Sequence, residues 1–260
     1  MVQDAFTSHY ETRLVLDVLD LIRLLGFTPW LAPFRPNGKA LQVHGFLGAF
    51  GRVAAANAAA LRELAATGVD LVGIDPSMTL TFRAEYAEAL GGRDLPEVLL
   101  LQEWLAKRAV DGPRAEAARY RLLPHCTERT TATAALRDWQ AVFARHGLQL
   151  DILAAGCCGM AGTYGHEAEH RETSERIYGL SWGRHVASPD GAGQLLATGY
   201  SCRSQTKRLD GVALPHPAQV LLQALRPART AGVQQPGAGS PGMDHAGTGA
   251  PSPQAFPTAG

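Results

Sequence analysis

The 260-residue chain contains four cysteines, and all of them lie in its second half: Cys126, Cys157, Cys158 and Cys202. Cys157 and Cys158 are adjacent and are followed directly by Gly159, which is unusual for residues that only fill a core. So few cysteines do not make the disulfide framework of a small secreted protein. Because clustered thiolates suit zinc or an iron–sulfur cluster, we predict that these four bind a metal, the alternative being that they pack as small apolar residues.

Each cysteine position follows a predicted strand. RLLPH precedes Cys126, LQLDILAAG precedes the Cys157–Cys158 pair, and QLLATGY leads into Cys202. The carboxyl ends of parallel strands meet at one edge of a sheet, where ligands gather. We therefore expect these positions, far apart in sequence, to converge in one thiolate-rich site.

Strand and helix signals alternate over the first 226 residues. Residues 12–25 and 51–66 have the composition and apolar spacing of helices, whereas residues 70–74 and the stretch that starts at Glu97 are short apolar runs typical of buried strands. This alternation predicts the α/β class with mainly parallel sheets.

The two halves of the chain resemble each other. LVGIDPSMTLTFR at 71–83 aligns with LLATGYSCRSQTKR at 195–208. We predict two tandem, similar three-layer modules, 1–112 without cysteines and 118–226 with the metal site. Residues 227–260 are rich in Gly, Pro, Ala and Ser and nearly empty of large apolar residues, so we predict a disordered C-terminal tail.

Charge and composition exclude several classes of protein. The 24 Lys+Arg balance the 24 Asp+Glu, so the charge gives no reason to expect a nucleic-acid partner or an anionic membrane surface. The apolar content of 46% is sufficient for a folded core. Neither a secretory signal nor an apolar run of about eighteen residues is present. We predict a cytoplasmic protein without a transmembrane segment.

The cysteine pattern resembles the cysteine-rich CCG domain of heterodisulfide reductase B subunits and glycolate oxidase iron–sulfur subunits. That domain occurs as a tandem duplication, and each full copy ends in Cys-x-x-Cys. The resemblance implies an iron–sulfur cluster, most simply 4Fe-4S, held by the four cysteines. Zinc is the alternative and would make a structural or docking module without redox activity. Here the closing pair is reduced to GYSC, so Gly199 stands at the position of its first cysteine.

Longer segments extend the resemblance to about residues 2–225. GIDPSMTLTFRAEY, GCCGMAGTYGHE and TGYSCRSQ resemble the carboxyl-terminal part of bacterial FAD- and iron–sulfur-dependent D-2-hydroxyglutarate dehydrogenases. This implies an iron–sulfur electron-transfer module of an FAD-linked D-2-hydroxyacid dehydrogenase. No counterpart of that family's FAD-linked oxidase domain is expected in this sequence, so we expect FAD only on a missing domain or partner subunit. The chain, as a fragment or partner subunit, is not expected to be a complete enzyme alone; it would also need an electron acceptor.

The first module departs from the family's pattern. Asp4 aligns near the first cysteine position, Asn37-Gly38-Lys39 near the paired one, and Asp75 and Met78 with the closing pair. Without thiolates this module is expected to hold no cluster. We expect it to form one wall of the site and to dock the partner.

The motif HEAEH at 166–170 has a separate interpretation. It fits the HExxH pattern of zinc hydrolases, in which His166 and His170 bind the metal and Glu167 is the base. The charged residues around it are typical of a solvated helix, which makes a hydrolase the weaker alternative. His166 is also a candidate ligand in place of the missing cysteine, a candidate donor to a thiolate, or a surface histidine.

Overall fold

Short strands form a two-stranded and a three-stranded sheet, and all pairings are parallel. The strands are β1 (Leu71–Gly73), β2 (Val98–Leu100), β3 (Arg119–Leu123), β4 (Gln149–Ile152) and β5 (Leu195–Ala197). β1 pairs with β2, and β3 is the central strand between β4 and β5. Every residue of β1, β2 and β5 is buried, which explains why these strands are continuous apolar runs.

The computed structural model describes residues 1–92, 95–108, 112–187 and 195–226. They belong to one unit, Met1–Arg226, and the predicted tail lies outside the described residues. Within the described ranges, no helix combines the length and the apolar character that crossing a membrane requires.

Helices make up most of the described structure. They are α1 (Ala5–Tyr10), α2 (Thr12–Leu24), α3 (Lys39–Val43), α4 (Leu47–Ala66), α5 (Pro76–Thr81), α6 (Glu85–Ala89), α7 (Leu101–Arg108), α8 (Cys126–Thr131), α9 (Ala134–Arg145), α10 (Arg171–Tyr178), α11 (Arg184–Val186), α12 (Tyr200–Asp210) and α13 (Pro217–Leu225). The predicted helices at 12–25 and 51–66 correspond to α2 and α4, and α4 begins earlier than predicted. The helix-rich fold with parallel sheets agrees with the predicted α/β class.

One apolar core is shared by both halves of the chain. α2 packs on α13, and α7 packs on α9. The buried side chains of this core include Val18 and Leu21 from the first half and Leu122, Trp139 and Leu221 from the second. Each sheet lies within one predicted module, but the core does not divide between them, so the division into two modules stays a prediction.

Candidate metal centre

The four cysteines follow the carboxyl ends of the strands of the three-stranded sheet. Cys126 begins α8 shortly after β3, the Cys157–Cys158 pair follows β4, and Cys202 lies in the first turn of α12, shortly after β5. Because these strands are parallel neighbours, their carboxyl ends lie side by side, as the sequence predicts.

The four thiols interact with one another. Side-chain hydrogen bonds link Cys126 to Cys157, Cys157 to Cys158, and Cys158 to Cys202. None of the four is in a disulfide; Cys158 and Cys202 are buried, and Cys126 and Cys157 are partly exposed. The structure thus brings the four predicted ligands into a single group of reduced thiols.

The pKa of the Cys157 thiol is lowered by its neighbours. Hydrogen bonds from Cys126 and Cys158, together with the backbone N–H of Gly159 at 3.3 Å, lower the pKa of the Cys157 thiol to about 2. The same bonds raise the pKa of Cys126 and Cys158 above the ordinary value for a thiol, and burial adds to that rise. A metal would replace these shared protons, since thiolates are the binding form.

The loop that carries the cysteine pair is fixed by hydrogen bonds to α10 and to the π-helical turn Gly179–Gly183. Ser174 Oγ donates to the carbonyl of Gly159 at 2.8 Å, and Trp182 Nε1 donates to the carbonyl of Gly156 at 3.0 Å. Gly159 has φ +85°, and a Cβ there would overlap the carbonyl oxygen of Ser174. Glycine is therefore required after the cysteine pair, because the loop passes directly against α10.

His125 lies inside the site, although sequence analysis passed over it. Its backbone N–H donates to Thr198 Oγ1 at 3.0 Å, and its Nδ1 accepts the N–H of Thr127 at 3.2 Å. The imidazole is close enough to Cys157 for the two groups to interact electrostatically. Burial lowers the pKa of His125, which favours the neutral ring. The only sequence signal was its place between a strand end and the first cysteine.

The buried carboxyl group of Glu128 is linked to His125 through Thr198. Glu128 accepts hydrogen bonds from Gln102 Nε2 and Thr198 Oγ1, both at 2.6 Å. Thr198 is the same residue that accepts the N–H of His125. Burial raises the pKa of Glu128 to about 7. These hydrogen bonds connect α7, α8 and the end of β5 close to the cysteines.

The sequence is similar to that of known dehydrogenases. No model of a known protein family matches the chain. It is 50% identical over 223 residues to the D-2-hydroxyglutarate dehydrogenase of Pseudomonas putida and 45% identical over 229 residues to that of Escherichia coli, matches that cover 86% and 87% of this chain and 22% of each relative. The chain is similar to one segment of the D-2-hydroxyglutarate dehydrogenases. The predicted resemblance is thereby confirmed.

A more distant relative is also a dehydrogenase component. One of the subunits of the anaerobic glycerol-3-phosphate dehydrogenase of Escherichia coli is 25% identical over 233 residues, a match that covers 85% of this chain and 57% of the relative. The chain spans 22% of the length of the D-2-hydroxyglutarate dehydrogenases that it matches.

The first half of the chain also brings together the residues that align with cysteines. Asn37 Nδ2 donates to the carbonyl oxygen and the sulfur of Met78, and the carboxylate of Asp75 accepts the N–H of Met78. Asp4 is close enough to Asp75 for the two charges to repel each other. These positions hold hydrogen-bonding and thioether groups in place of thiols. Asp75 also accepts the N–H of Tyr200 at 2.8 Å, which joins this cluster to the start of α12 and so to Cys202.

We expect Asp4→Asn to stabilise the protein above pH 6. Burial, and then the charge of Asp75, raises the pKa of Asp4 from 3.8 to about 6. Folding therefore takes up a proton, and the stability that this gives is complete below about pH 4 and is lost as the pH rises through 6, by about 2–3 kcal/mol in all. Asparagine keeps the acceptor for the N–H groups of Phe6 and Thr7.

Urea unfolding at several pH values between 4 and 8 measures this effect. The free energy of unfolding of the wild-type protein should fall by about 2–3 kcal/mol as the pH rises across that window. That of Asp4→Asn should fall much less. Asp20→Asn is the control, since the Asp20 side chain is 44% exposed. The same pH dependence in Asp4→Asn as in the wild type would contradict the assignment.

The HEAEH segment does not form the helix that a zinc hydrolase uses. It consists of two 3-10 turns, Tyr164–His166 and Ala168–His170, with Glu167 in an extended conformation between them. Donor atoms of Glu167, Glu169 and His170 lie within 4.8 Å of one another, while His166 is exposed and is not a member of this group. The zinc-hydrolase interpretation gains no support, and a role for His166 as a cluster ligand stays a prediction.

Proposed function

We propose that this chain is the iron–sulfur electron-transfer module of an FAD-linked D-2-hydroxyacid dehydrogenase, of the D-2-hydroxyglutarate type. The observation that carries the proposal is the convergence of four interacting thiols at one sheet edge. The similarity to D-2-hydroxyglutarate dehydrogenases gives those thiols a redox context. FAD would be held by a separate domain or subunit, and an electron acceptor would complete the path.

The residues present fit an iron–sulfur cluster, most simply 4Fe-4S. Thiolates are the ligands that such clusters use, and four are available from Cys126, Cys157, Cys158 and Cys202. The backbone N–H groups of Gly159 and Met160 donate to the sulfurs of Cys157 and Cys158. Donors of this kind stabilise negative charge on cluster sulfur.

A bound cluster supplies one-electron redox chemistry between a flavin and an acceptor. The residues of this chain hold it, keep water from its buried side and stabilise its charge. Cys158 and Cys202 are buried in an apolar cluster with Met160, Tyr178 and Trp182, which excludes water from that side. Cys126 and Cys157 are partly exposed, so they mark the side from which electrons can enter or leave.

We propose that the first half of the chain contacts the flavin-containing partner. Most exposed large apolar side chains of the described residues belong to its first 69 residues: Tyr10, Leu16, Trp30, Leu31, Phe34, Val43, Phe46, Leu47 and Val69. Trp30 is 74% exposed. Aromatic side chains such as Trp30 are enriched at protein–protein interfaces. This enrichment supports the proposal that this half docks the FAD-containing part of the dehydrogenase.

A zinc-binding docking module is the second candidate, because four thiolates also complete a closed tetrahedral zinc site. Anaerobic purification followed by a visible spectrum and by iron, sulfide and zinc analysis separates the two. We expect a broad brown absorbance with stoichiometric iron and sulfide. A colourless protein with one zinc would establish the docking module, and a protein with neither metal would overturn both candidates.

A further inference from the structure

The imidazole of His125 occupies the space that a side chain at position 199 would need. The residue is only 6% exposed. A Cβ added to Gly199 would overlap Cδ2 and crowd Cγ of the ring. Position 199 is where the resemblance expects the first cysteine of the closing pair. The ring therefore stands beside the cysteine group at the point where a sulfur is missing.

The hydrogen bonds of His125 fix which ring nitrogen carries the proton. Nδ1 accepts the N–H of Thr127 and so caps the start of α8. A nitrogen that accepts a hydrogen bond has no proton of its own, so the ring proton lies on Nε2. With its proton on Nε2, the ring offers no free lone pair there to a metal. His125 is thus an N–H donor at this site and not a ligand.

Among the described residues, the Nε2–H group near the cysteines makes one long contact with an acceptor. Its nearest hydrogen-bonding neighbour is Ser201 Oγ at 3.4 Å, longer than an ordinary hydrogen bond. The same hydroxyl oxygen lies 4.0 Å from the sulfur of Cys202. A buried N–H donor with only a long contact is costly unless another acceptor is present. The charged or polarisable acceptors that interact with the ring are the carboxylate of Asp75 and the sulfur of Cys157, and Asp75 already accepts the N–H groups of Met78 and Tyr200.

We propose that His125 is a positioning residue whose Nε2–H donates a hydrogen bond to a sulfur of the cluster site and raises the reduction potential of the cluster. A hydrogen bond to sulfur favours the reduced state, because that state carries more negative charge. This inference rests on the proposed iron–sulfur function. It assigns to His125 the role of donor to a thiolate that the sequence suggested for His166.

Two substitutions separate the two roles of the His125 ring, which are the N–H donor at Nε2 and the acceptor at Nδ1 that caps α8. In His125→Asn, the amide oxygen can replace Nδ1 as the acceptor for Thr127, and no donor remains at the Nε2 position. In His125→Gln, the longer side chain can place its amide nitrogen near the Nε2 position, and the cap is lost. We expect the Asn variant to keep its iron and show a more negative midpoint potential, whereas the Gln variant should keep a potential close to that of the wild type.

Two further variants test the geometry. Gly199→Ala should displace the ring and shift the potential in the same direction as His125→Asn, although His125 itself is unchanged. His216→Asn is the matched control, because His216 is buried and caps α13 through Nδ1, which accepts the N–H of Ala218 at 3.1 Å. This control should leave the potential unchanged.

The readouts are a redox titration and pulsed EPR of the reduced cluster in H₂O and D₂O. The wild type should show an exchangeable proton coupled to the cluster, and His125→Asn should lack it. Unchanged potential and proton coupling in both His125→Asn and Gly199→Ala would overturn this inference while the cluster itself stands. A wild-type protein without iron would instead overturn the proposed function, and the inference with it.

Discussion

Cys157→Ser should abolish the metal centre. Cys157 is the thiolate at the middle of the group, and it accepts hydrogen bonds from Cys126, Cys158 and the N–H of Gly159. A serine hydroxyl is a hard, protonated donor that does not replace a soft thiolate toward iron or zinc. Removal of a residue that only hydrogen-bonds to a ligand weakens metal binding roughly 10- to 100-fold. Loss of the ligand itself should weaken binding further. Iron and sulfide per protein should fall to near background.

The control for this result is His166→Ala. His166 is exposed on a 3-10 turn, and its removal should leave the metal content at the wild-type level. A loss of metal in this variant would make His166 a ligand, the role that the sequence suggested for it. Full iron content in Cys157→Ser, measured after anaerobic purification, would show that Cys157 is not a ligand.

Gly159→Ala should be the most damaging substitution of a glycine in the cysteine loop. Alanine at φ +85° costs about 1–2 kcal/mol for its left-handed conformation alone. The added Cβ would also overlap the carbonyl of Ser174, which belongs to the backbone of α10 and cannot rotate away. We expect a loss of about 3 kcal/mol or more in the free energy of unfolding, together with a loss of bound metal.

Gly162→Ala is the matched control for that prediction. Gly162 has φ +72° in the same loop, but no atom lies within 4 Å of the position that its Cβ would take. It should therefore show only the conformational cost of about 1–2 kcal/mol. Urea unfolding of the two variants measures the difference. Equal destabilisation would mean that the contact with α10 does not constrain the loop.

The cysteine site could be predicted because the sequence signals for it are local. A strand end followed by a cysteine can be recognised from a few residues, and the carboxyl ends of parallel strands meet whatever the rest of the fold does. β1 lies within the predicted run 70–74 for the same reason, since a short apolar run between polar residues is a local signal.

The role of His125 could not be predicted, because it depends on tertiary contacts with Thr198, Gly199 and Ser201, more than seventy positions away in the chain. In the HEAEH segment, by contrast, a local pattern was present but predicted the wrong structure. Its charges suggested a continuous helix, but Arg171 pairs with Glu175 and not with Glu167. The regular helix begins only at Arg171. Local charge spacing did not decide where that helix starts.

The packing of α2 on α13 has a consequence for how the chain is made. The apolar side of α2 includes Val18 and Leu21, and the core that covers them is completed by residues such as Leu221 and Leu225. A ribosome synthesises about two hundred residues between these segments, which takes on the order of 10–40 seconds. During that time the nascent α2 lacks its native partner. Contacts between such distant segments also slow folding, so the apolar side of α2 stays exposed until α13 has been made.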